Sequence, residues 1–311
     1  MENKQIEILS LIEEKKKNEA KLASLLYGAQ EIREQSGKQY LYVHFREGGL
    51  SKTRYAGEVS PELVNLILTN GILARQLKAQ LRNINRTLKE LGYSETSLDE
   101  KVLRVMDYAK RHLVDSIYQQ AVLEGIAATF ADTETILADG KVHGVSAEDV
   151  LKINNLKHAW QFILDPDVIS YPSDYSVLTM INKLIEEGFY YNAGRLRSTP
   201  VSIGGTHYIP PLPIESVVVE NLTEILTQTK DPIQTAISAL LYITKAQLFL
   251  DGNKRTAVLF ANHILISHGV GIIVIPEAKV EDYKKFLIAY YEGKDEVNIR
   301  KFLIEECLRA I

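Results

Sequence analysis

The chain has 311 residues, a net charge of −4 and one cysteine, Cys307. That length allows one large domain or two with a sizeable core, while a single thiol excludes an intramolecular disulfide framework. The overall charge gives no global basic field of the kind that marks a nucleic-acid binder, so nucleic acid is not indicated, although a local basic patch stays open. No apolar run reaches the ~18 residues of a membrane span, and "MENKQIEILSLIEEKKK" is charged where a secretory signal would be apolar; the expectation is a cytoplasmic protein with no membrane partner.

In chain order, residues 3–34 read as a helix, with Ile6, Ile8, Leu9, Leu11 and Ile12 followed by Leu22, Leu25 and Leu26. "KQYLYVHFREGG" and "SKTRYAGEV" place aromatic and β-branched residues around a Gly-Gly turn and predict a β-hairpin. "SPELVNLILTNG" carries Ser60 as N-cap, Pro61 at the first helical position and Asn70-Gly71 near a C-terminus, with the pattern resuming toward residue 90. "LGYSETSLDE" is the best candidate boundary, and Ser97 with Glu100 makes a capping box for the helix that follows. This divides the chain into an N-terminal helix and hairpin region, 1–95, of unassigned role, and a helical region, 96–311. In the second region "SAEDVLKINNLKHAWQFIL" and "SDYSVLTMINKLIEEG" are capped helices, the latter by Ser173. "YNAGRLRSTPVSIGGTHYIPPLP" is a loop with a short β-like "PVSI". Further helices are expected at "IESVVVENLTEILTQT", "PIQTAISALLYITKAQLFL", "RTAVLFANHILISHG" and "VEDYKKFLIAYYEG". "GIIVIP" is β-like, and "EVNIRKFLIEECLRAI" is read as a last helix. The fold class is mostly α with one or two small hairpins.

The junction "QLFLDGNKRTA", residues 247–257, carries the chemistry. Asp251-Gly252-Asn253 is a turn tripeptide between two helical patterns, so Asn253 to Thr256 open the second helix. A helix start presents free N–H groups and the positive end of the dipole to an anion. Gly252 lets a ligand approach the backbone, Lys254 and Arg255 add cations of which arginine grips phosphate bidentately, and a carboxylate beside phosphate suits Mg²⁺. Taken alone, the same tripeptide also serves as an ordinary helix-to-helix turn with a capping aspartate. His263 and His268, five residues apart, are read as packed or capping histidines.

This stretch resembles the signature of the Fic/Doc (Fido) family, His-x-Phe-x-(Asp/Glu)-Gly-Asn-Gly-Arg, or its Doc-branch form ending Asn-Lys-Arg. "VLEGIAATFADTETIL" resembles the segment that forms a built-in inhibitory helix in some members, near residues 115–128. "AGRLRSTPVSIGGTHYIPP" resembles the region of the flap hairpin, near 199–210. The resemblance covers roughly residues 115–300 and implies a helical Fic core with a small flap β-hairpin. It implies transfer of AMP from ATP, with Mg²⁺, to a hydroxyl of a protein target. By resemblance Asp251 would bind the metal; Gly252, Asn253, Lys254 and Arg255 would hold the nucleotide; Phe249 would anchor the loop from the core; Glu124 with Gly125 would be regulatory; and Ile203, Gly204 and Gly205 would hold the target by strand addition.

Three departures bear on activity. The family's general base, a histidine, falls at Gln247, whose carboxamide has no useful basicity. The family's second arginine falls at Val258, inside the signature region 247–258, and the Ser/Thr four residues before the inhibitory glutamate falls at Gln120. The expectation is a nucleotide-binding protein with impaired AMP transfer. The alternative is a non-catalytic Fido-fold regulatory or interaction protein; removal of AMP through Glu124 and Doc-like phosphotransfer rank below both.

Overall fold

The computed structural model describes residues 2–35, 37–47, 50–93 and 98–311. It contains thirteen α-helices among those residues: α1 Glu2–Ser24, α2 Pro61–Glu90, α3 Glu100–Arg111, α4 Leu113–Leu123, α5 Phe130–Leu137, α6 Ala147–Ile163, α7 Pro166–Ile169, α8 Tyr175–Ile185, α9 Glu215–Gln228, α10 Pro232–Ala246, α11 Asn253–Ser267, α12 Val280–Tyr291 and α13 Glu296–Phe302. Five strands accompany them: β1 Ala29–Gln35, β2 Lys38–Glu47, β3 Leu50–Glu58, β4 Gly271–Ile273 and β5 Leu308–Ala310. The chain divides into two compact units, Ser10–Ser94 and Met1–Leu9 with Glu95–Ile311. Among the described residues no helix is long and apolar enough to cross a membrane.

In the smaller unit β1, β2 and β3 form an antiparallel sheet in sequence order, with Arg33 opposite Tyr40 and Val43 opposite Arg54, and a bulge at Leu41/Tyr42. Leu41 and Val43 point to one face and join Ile67 of α2 in a buried cluster, against which Leu26, Val59, Leu63 and Val64 pack. Burial of each such side chain stabilises by about 1.5–3 kcal/mol. Ser60 caps α2 by accepting from the Leu63 N–H, with Pro61 at the first helical position.

Several expectations fail here for identifiable reasons. The helix expected over 3–34 stops at Ser24, and 29–35 is an edge strand with exposed Ile32. Asn70-Gly71 does not end α2, which runs unbroken to Glu90 because Ala74, Leu77, Ile84 and Leu88 keep a buried stripe in register. The turn at Gly48-Gly49 and the capping role given to Ser97 lie outside the described residues; the observed cap of α3 is Asp99, accepting from the Lys101 N–H.

In the larger unit α11 is the central helix. Every residue from Asn253 to Ile266 except Lys254 is buried, the pattern of a helix packed on all sides, and α3, α6, α7, α8, α10 and β4 all touch it. Asn262 fastens β4 by exchanging two hydrogen bonds with the backbone of Ile273, 2.9 and 2.6 Å. Three further readings change. Asp174, not Ser173, caps α8 through the Val177 N–H; Ser173 bonds His263 Nδ1 instead, at 2.8 Å. The C-terminal segment expected as helix ends in β5, paired antiparallel with β4. No strand forms over 199–210, so the expected flap hairpin is an irregular loop with a turn at Gly204-Gly205.

Candidate functional site

The loop joining α10 to α11 is shaped by its own residues. Gln247 ends α10 in the left-handed region, φ 47°, where a side chain costs about 1–2 kcal/mol. Two contacts hold it there. Its Nε2 donates back to the Thr244 carbonyl at 2.7 Å, and its own carbonyl accepts from Arg197 Nε. Phe249 is buried below the loop. Its N–H and carbonyl are both taken by the Asn253 amide, at 2.9 and 2.8 Å. The Asn253 side chain is therefore a clasp that closes the loop. The first intrahelical bond of α11 runs from the Thr256 N–H to the Gly252 carbonyl, which leaves the N–H groups of Asn253, Lys254 and Arg255 outside the helix's own ladder.

Around that helix start stand three carboxylates and two cations. Arg255 is almost wholly buried. Its Nη2 lies 3.0 Å from Glu186 Oε1 and 3.6 Å from Asp251 Oδ2, and its Nε lies 3.8 Å from Glu124 Oε2. Lys254 Nζ lies 3.4 Å from Glu124 Oε1. Despite these ion pairs, Nε and Nη1 of Arg255 have no hydrogen-bond partner among the described residues. Buried donors in that state are costly, and an anion brought to this edge would satisfy them. The half-exposed Asp251 carboxylate accepts from the Gly252 N–H at 2.7 Å. A single carboxylate with phosphate and water as the other ligands is a pattern Mg²⁺ accepts, and the donor set here fits it. Among the described residues no cluster of three or more His, Cys, Asp or Glu could hold a metal ion alone.

Glu186 follows α8 and was invisible in the sequence. It is buried, and burial pushes its carboxyl up to about 7; Asp251 and Glu124 push the same way, while Arg255 opposes them. Between its ordinary value of 4.5 and about 7 the unfolded chain releases a proton that the folded chain keeps, so stability falls as pH rises through that window. Glu186→Gln removes this contribution. We expect the fall in melting temperature from pH 5 to pH 8 to be smaller in that variant than in wild type; equal falls in parallel thermal melts would contradict the assignment.

Arg197 is the second residue the sequence hid. It is buried, and besides the Gln247 carbonyl its guanidinium reaches those of Thr199 (2.9 Å), Pro210 (3.3 Å) and Pro211 (2.6 Å). It ties both ends of the 199–211 segment to the loop. Within that segment Ile203 is half-buried and Gly204 and Gly205 are exposed. Gly205 has φ 83°, and a Cβ there would meet Ile288 Cδ1 at 2.9 Å. Asn182 adds a third tie. It donates to the Asp251 carbonyl and to Thr256 Oγ1, both at 3.1 Å, and accepts from the Gly194 N–H.

The upstream glutamate is brought to this centre. Glu124 is the C-cap of α4, and Gly125 takes φ 75° just after it, the usual left-handed helix exit. Gln120, one turn earlier, donates to the Arg255 carbonyl at 2.9 Å and accepts from Trp160 Nε1 at 3.3 Å, fixing α4 against the start of α11. Val258 is buried among Ser116, Gln120, Leu123, Trp160 and the 273–275 strand end. His263 is wholly buried between Ser173 and the Val168 carbonyl, and burial pushes its imidazole down to about 4, so it stays neutral. His268 caps the Ile264 carbonyl.

Comparison with known proteins adds a family. Residues 172–265 match the family model described as Fic/DOC family. The chain is 29% identical over 182 residues to a protein adenylyltransferase fic-1 of Caenorhabditis elegans, covering 56% of this chain and 36% of that protein. It is 26% identical over 200 residues to a protein adenylyltransferase Fic of Drosophila mojavensis, covering 61% and 39%. The match therefore spans well under half the length of these relatives. The fold is similar to that of a Fic-1 fragment from C. elegans, with TM-score 0.53, 22% identity and coverage of 78% of this chain and 72% of that one. It is also similar to a Fic family protein from Desulfovibrio desulfuricans, with TM-score 0.52, 15% identity and coverage of 68% and 73%.

Proposed function

We propose, from the premise that residues 172–265 form a Fic/DOC family domain, that this chain binds ATP with Mg²⁺ at the 247–255 loop and transfers the nucleotidyl group slowly or not at all. The observation that carries the reading is the buried edge of Arg255, whose Nε and Nη1 have no hydrogen-bond partner among the described residues, beside the free N–H groups of a helix start. Phosphate oxygens complement both. In this reading Arg255, Lys254 and the backbone N–H groups of residues 253–255 hold the phosphates, and Gly252 lets them approach the backbone. Asp251 holds the metal, whose charge offsets that of the phosphates. The family reaction moves AMP to a protein hydroxyl, in keeping with the adenylyltransferase names of the relatives. Ile203, Gly204 and Gly205 lie on the loop assigned to the target, with strand addition as the docking mode.

Impairment follows from residue 247. An amide cannot take the target's proton, and the Gln247 amide is turned back onto Thr244. Glu124 bears on the same centre as a resident anion, paired with the two cations that phosphate would use. It acts as a built-in competitor for them. A second reading, a Fido-fold protein that binds nucleotide or a protein partner without chemistry, is favoured by the same turned-back amide and by the valine buried at position 258. Removal of AMP through Glu124 and transfer of phosphate are the remaining reactions this site supports, and the position of the label in ATP separates them from AMP transfer.

Calorimetry tests the binding. Wild type takes up ATP in the presence of Mg²⁺, and Asp251→Ala binds at least about tenfold more weakly, the loss of one charge-assisted metal contact. Absence of heat with the wild-type chain would sink the reading.

A further inference from the structure

The net charge of −4 is the sum of two unlike parts. Residues 10–94 carry 14 Lys and Arg against 9 Asp and Glu, a net of +5, and the rest of the chain carries −9. Most of the excess, a net of +3, sits on α2, which carries five cations against Glu62 and Glu90. From Leu63 to Lys89 there is no acidic residue, and Arg75, Lys78, Arg82, Arg86 and Lys89 are all exposed. At 100° per residue these five fall within an arc of about 80°, forming one stripe that climbs about 21 Å along the helix. Among the described residues only Arg86 of the five forms an ion pair, with Glu90 of the same helix at 3.9 Å and both side chains well exposed. Such a pair contributes little.

From this surface we infer a binding site for duplex DNA, with α2 lying along the major groove. Three features choose that occupant. The stripe presents four or five cations to a phosphate backbone with no carboxylate interleaved. Gln76 and Asn83 are exposed beside it, and arginine, asparagine and glutamine are the side chains that pair with base edges in the major groove, which is wide enough to admit a helix. The other anionic polymers fit less well. Single strands are held by stacking bases on aromatic rings; α2 contains no aromatic residue, and Tyr27, which stands against the stripe, has Lys78 Nζ over its ring at 4.9 Å. A membrane-surface helix needs bulky apolar side chains opposite its cations. The exposed large apolar residues of α2, Leu66, Leu68 and Ile72, all precede Arg75, and beyond it the exposed positions are polar, charged or alanine. The site is independent of the nucleotide loop.

Fluorescence anisotropy of the full chain with a labelled 24-base-pair duplex tests the assignment. With about five phosphates neutralised, the salt slope is about −4.5, a loss of about 500-fold in affinity between 50 and 200 mM KCl. Replacing three cations together, Arg75→Gln, Arg82→Gln and Arg86→Gln, lowers the magnitude of that slope by about 2.7 and weakens binding at 50 mM. All three positions are exposed, so the melting temperature serves as the check that the fold survives. A control carrying Lys284→Gln and Lys285→Gln on α12 binds as wild type. No duplex binding at 50 mM KCl would overturn the proposal. So would wild-type affinity in the triple variant, an equal loss in the control, tighter binding of a single strand of the same length, or uptake by phosphatidylserine vesicles without uptake of duplex.

Discussion

Gln247→His in a Glu124→Gly background raises labelling of protein by ATP marked at the α-phosphate by about 10²–10⁴-fold over the wild-type chain, the usual worth of a positioned general base. The local geometry favours the exchange. Histidine is among the residues that tolerate the left-handed region, so it can inherit the backbone of position 247. One ring N–H can donate to the Thr244 carbonyl, as the amide does now, which leaves the other nitrogen with its lone pair free. Removing Glu124 at the same time takes one resident carboxylate from Lys254 and Arg255, which leaves Arg255 paired through Nη2 with Glu186 and Asp251 and turns its Nε edge to the phosphates. Each single variant isolates one half: Glu124→Gly alone tightens ATP binding without creating a base, and Gln247→His alone creates the base behind an occupied anion site. Strong labelling by the wild-type chain, undiminished by Glu124→Gly, would show that another base works here. Label incorporated from the γ-phosphate instead of the α-phosphate would redirect the reading to phosphotransfer.

Gly252→Ala lowers stability by about 3 kcal/mol and abolishes ATP binding. Part of the loss is conformational, since φ is 72° at this position and an L-residue there costs about 1–2 kcal/mol. The larger part is steric. A Cβ would stand 2.4 Å from Glu186 Oε1 and 3.1 Å from Ile185 Cγ2. The carboxylate has little room to yield, because it is buried against the Arg255 guanidinium, and overpacking of this kind costs about 1–3 kcal/mol. Asparagine separates the two contributions, since it tolerates the left-handed region yet carries a Cβ. Thermal melts are expected to place Gly252→Asn between wild type and Gly252→Ala, since it keeps the steric loss and escapes the conformational one; a wild-type melting temperature for Gly252→Asn would show that backbone strain is the whole effect.

Helices marked by both a cap and a stripe were legible in the sequence: Ser60-Pro61 and Ser146 begin helices where expected, and Asp251-Gly252 stands at the start of α11. Where two capping residues adjoin, local chemistry does not choose between them. Asp174 took the cap because Ser173 is held by a histidine ninety positions away in the chain. The strand β1, "AQEIREQ", has one large apolar residue and owes its conformation to pairing with β2, which no window of its own sequence records. The same limit hid half of the candidate site. Residues 247–255 are contiguous and carry their turn chemistry on the surface of the text. Glu186 reads as one more polar residue at a helix end, and Arg197 as a loop cation. Their importance arises from burial against α11 and against five carbonyl groups, which are properties of the assembled unit.

The clasp between Asn253 and the backbone of Phe249 has a consequence for how such a loop can change over time. The turn is closed by a side chain that takes no part in proton transfer, and it is seated by Phe249, Gly252 and the ties from Asn182 and Arg197. Position 247 contributes a left-handed backbone, a carbonyl that accepts from Arg197 and one donated side-chain hydrogen bond, which several residues can supply. Shape and reactivity are thus encoded at different letters of the same short word. On the proposed reading, a single exchange at 247 silences the chemistry while every constraint that preserves the form of the loop stays in force. A lineage that has lost the reaction would keep the loop, and one further exchange at the same letter could restore what the first removed.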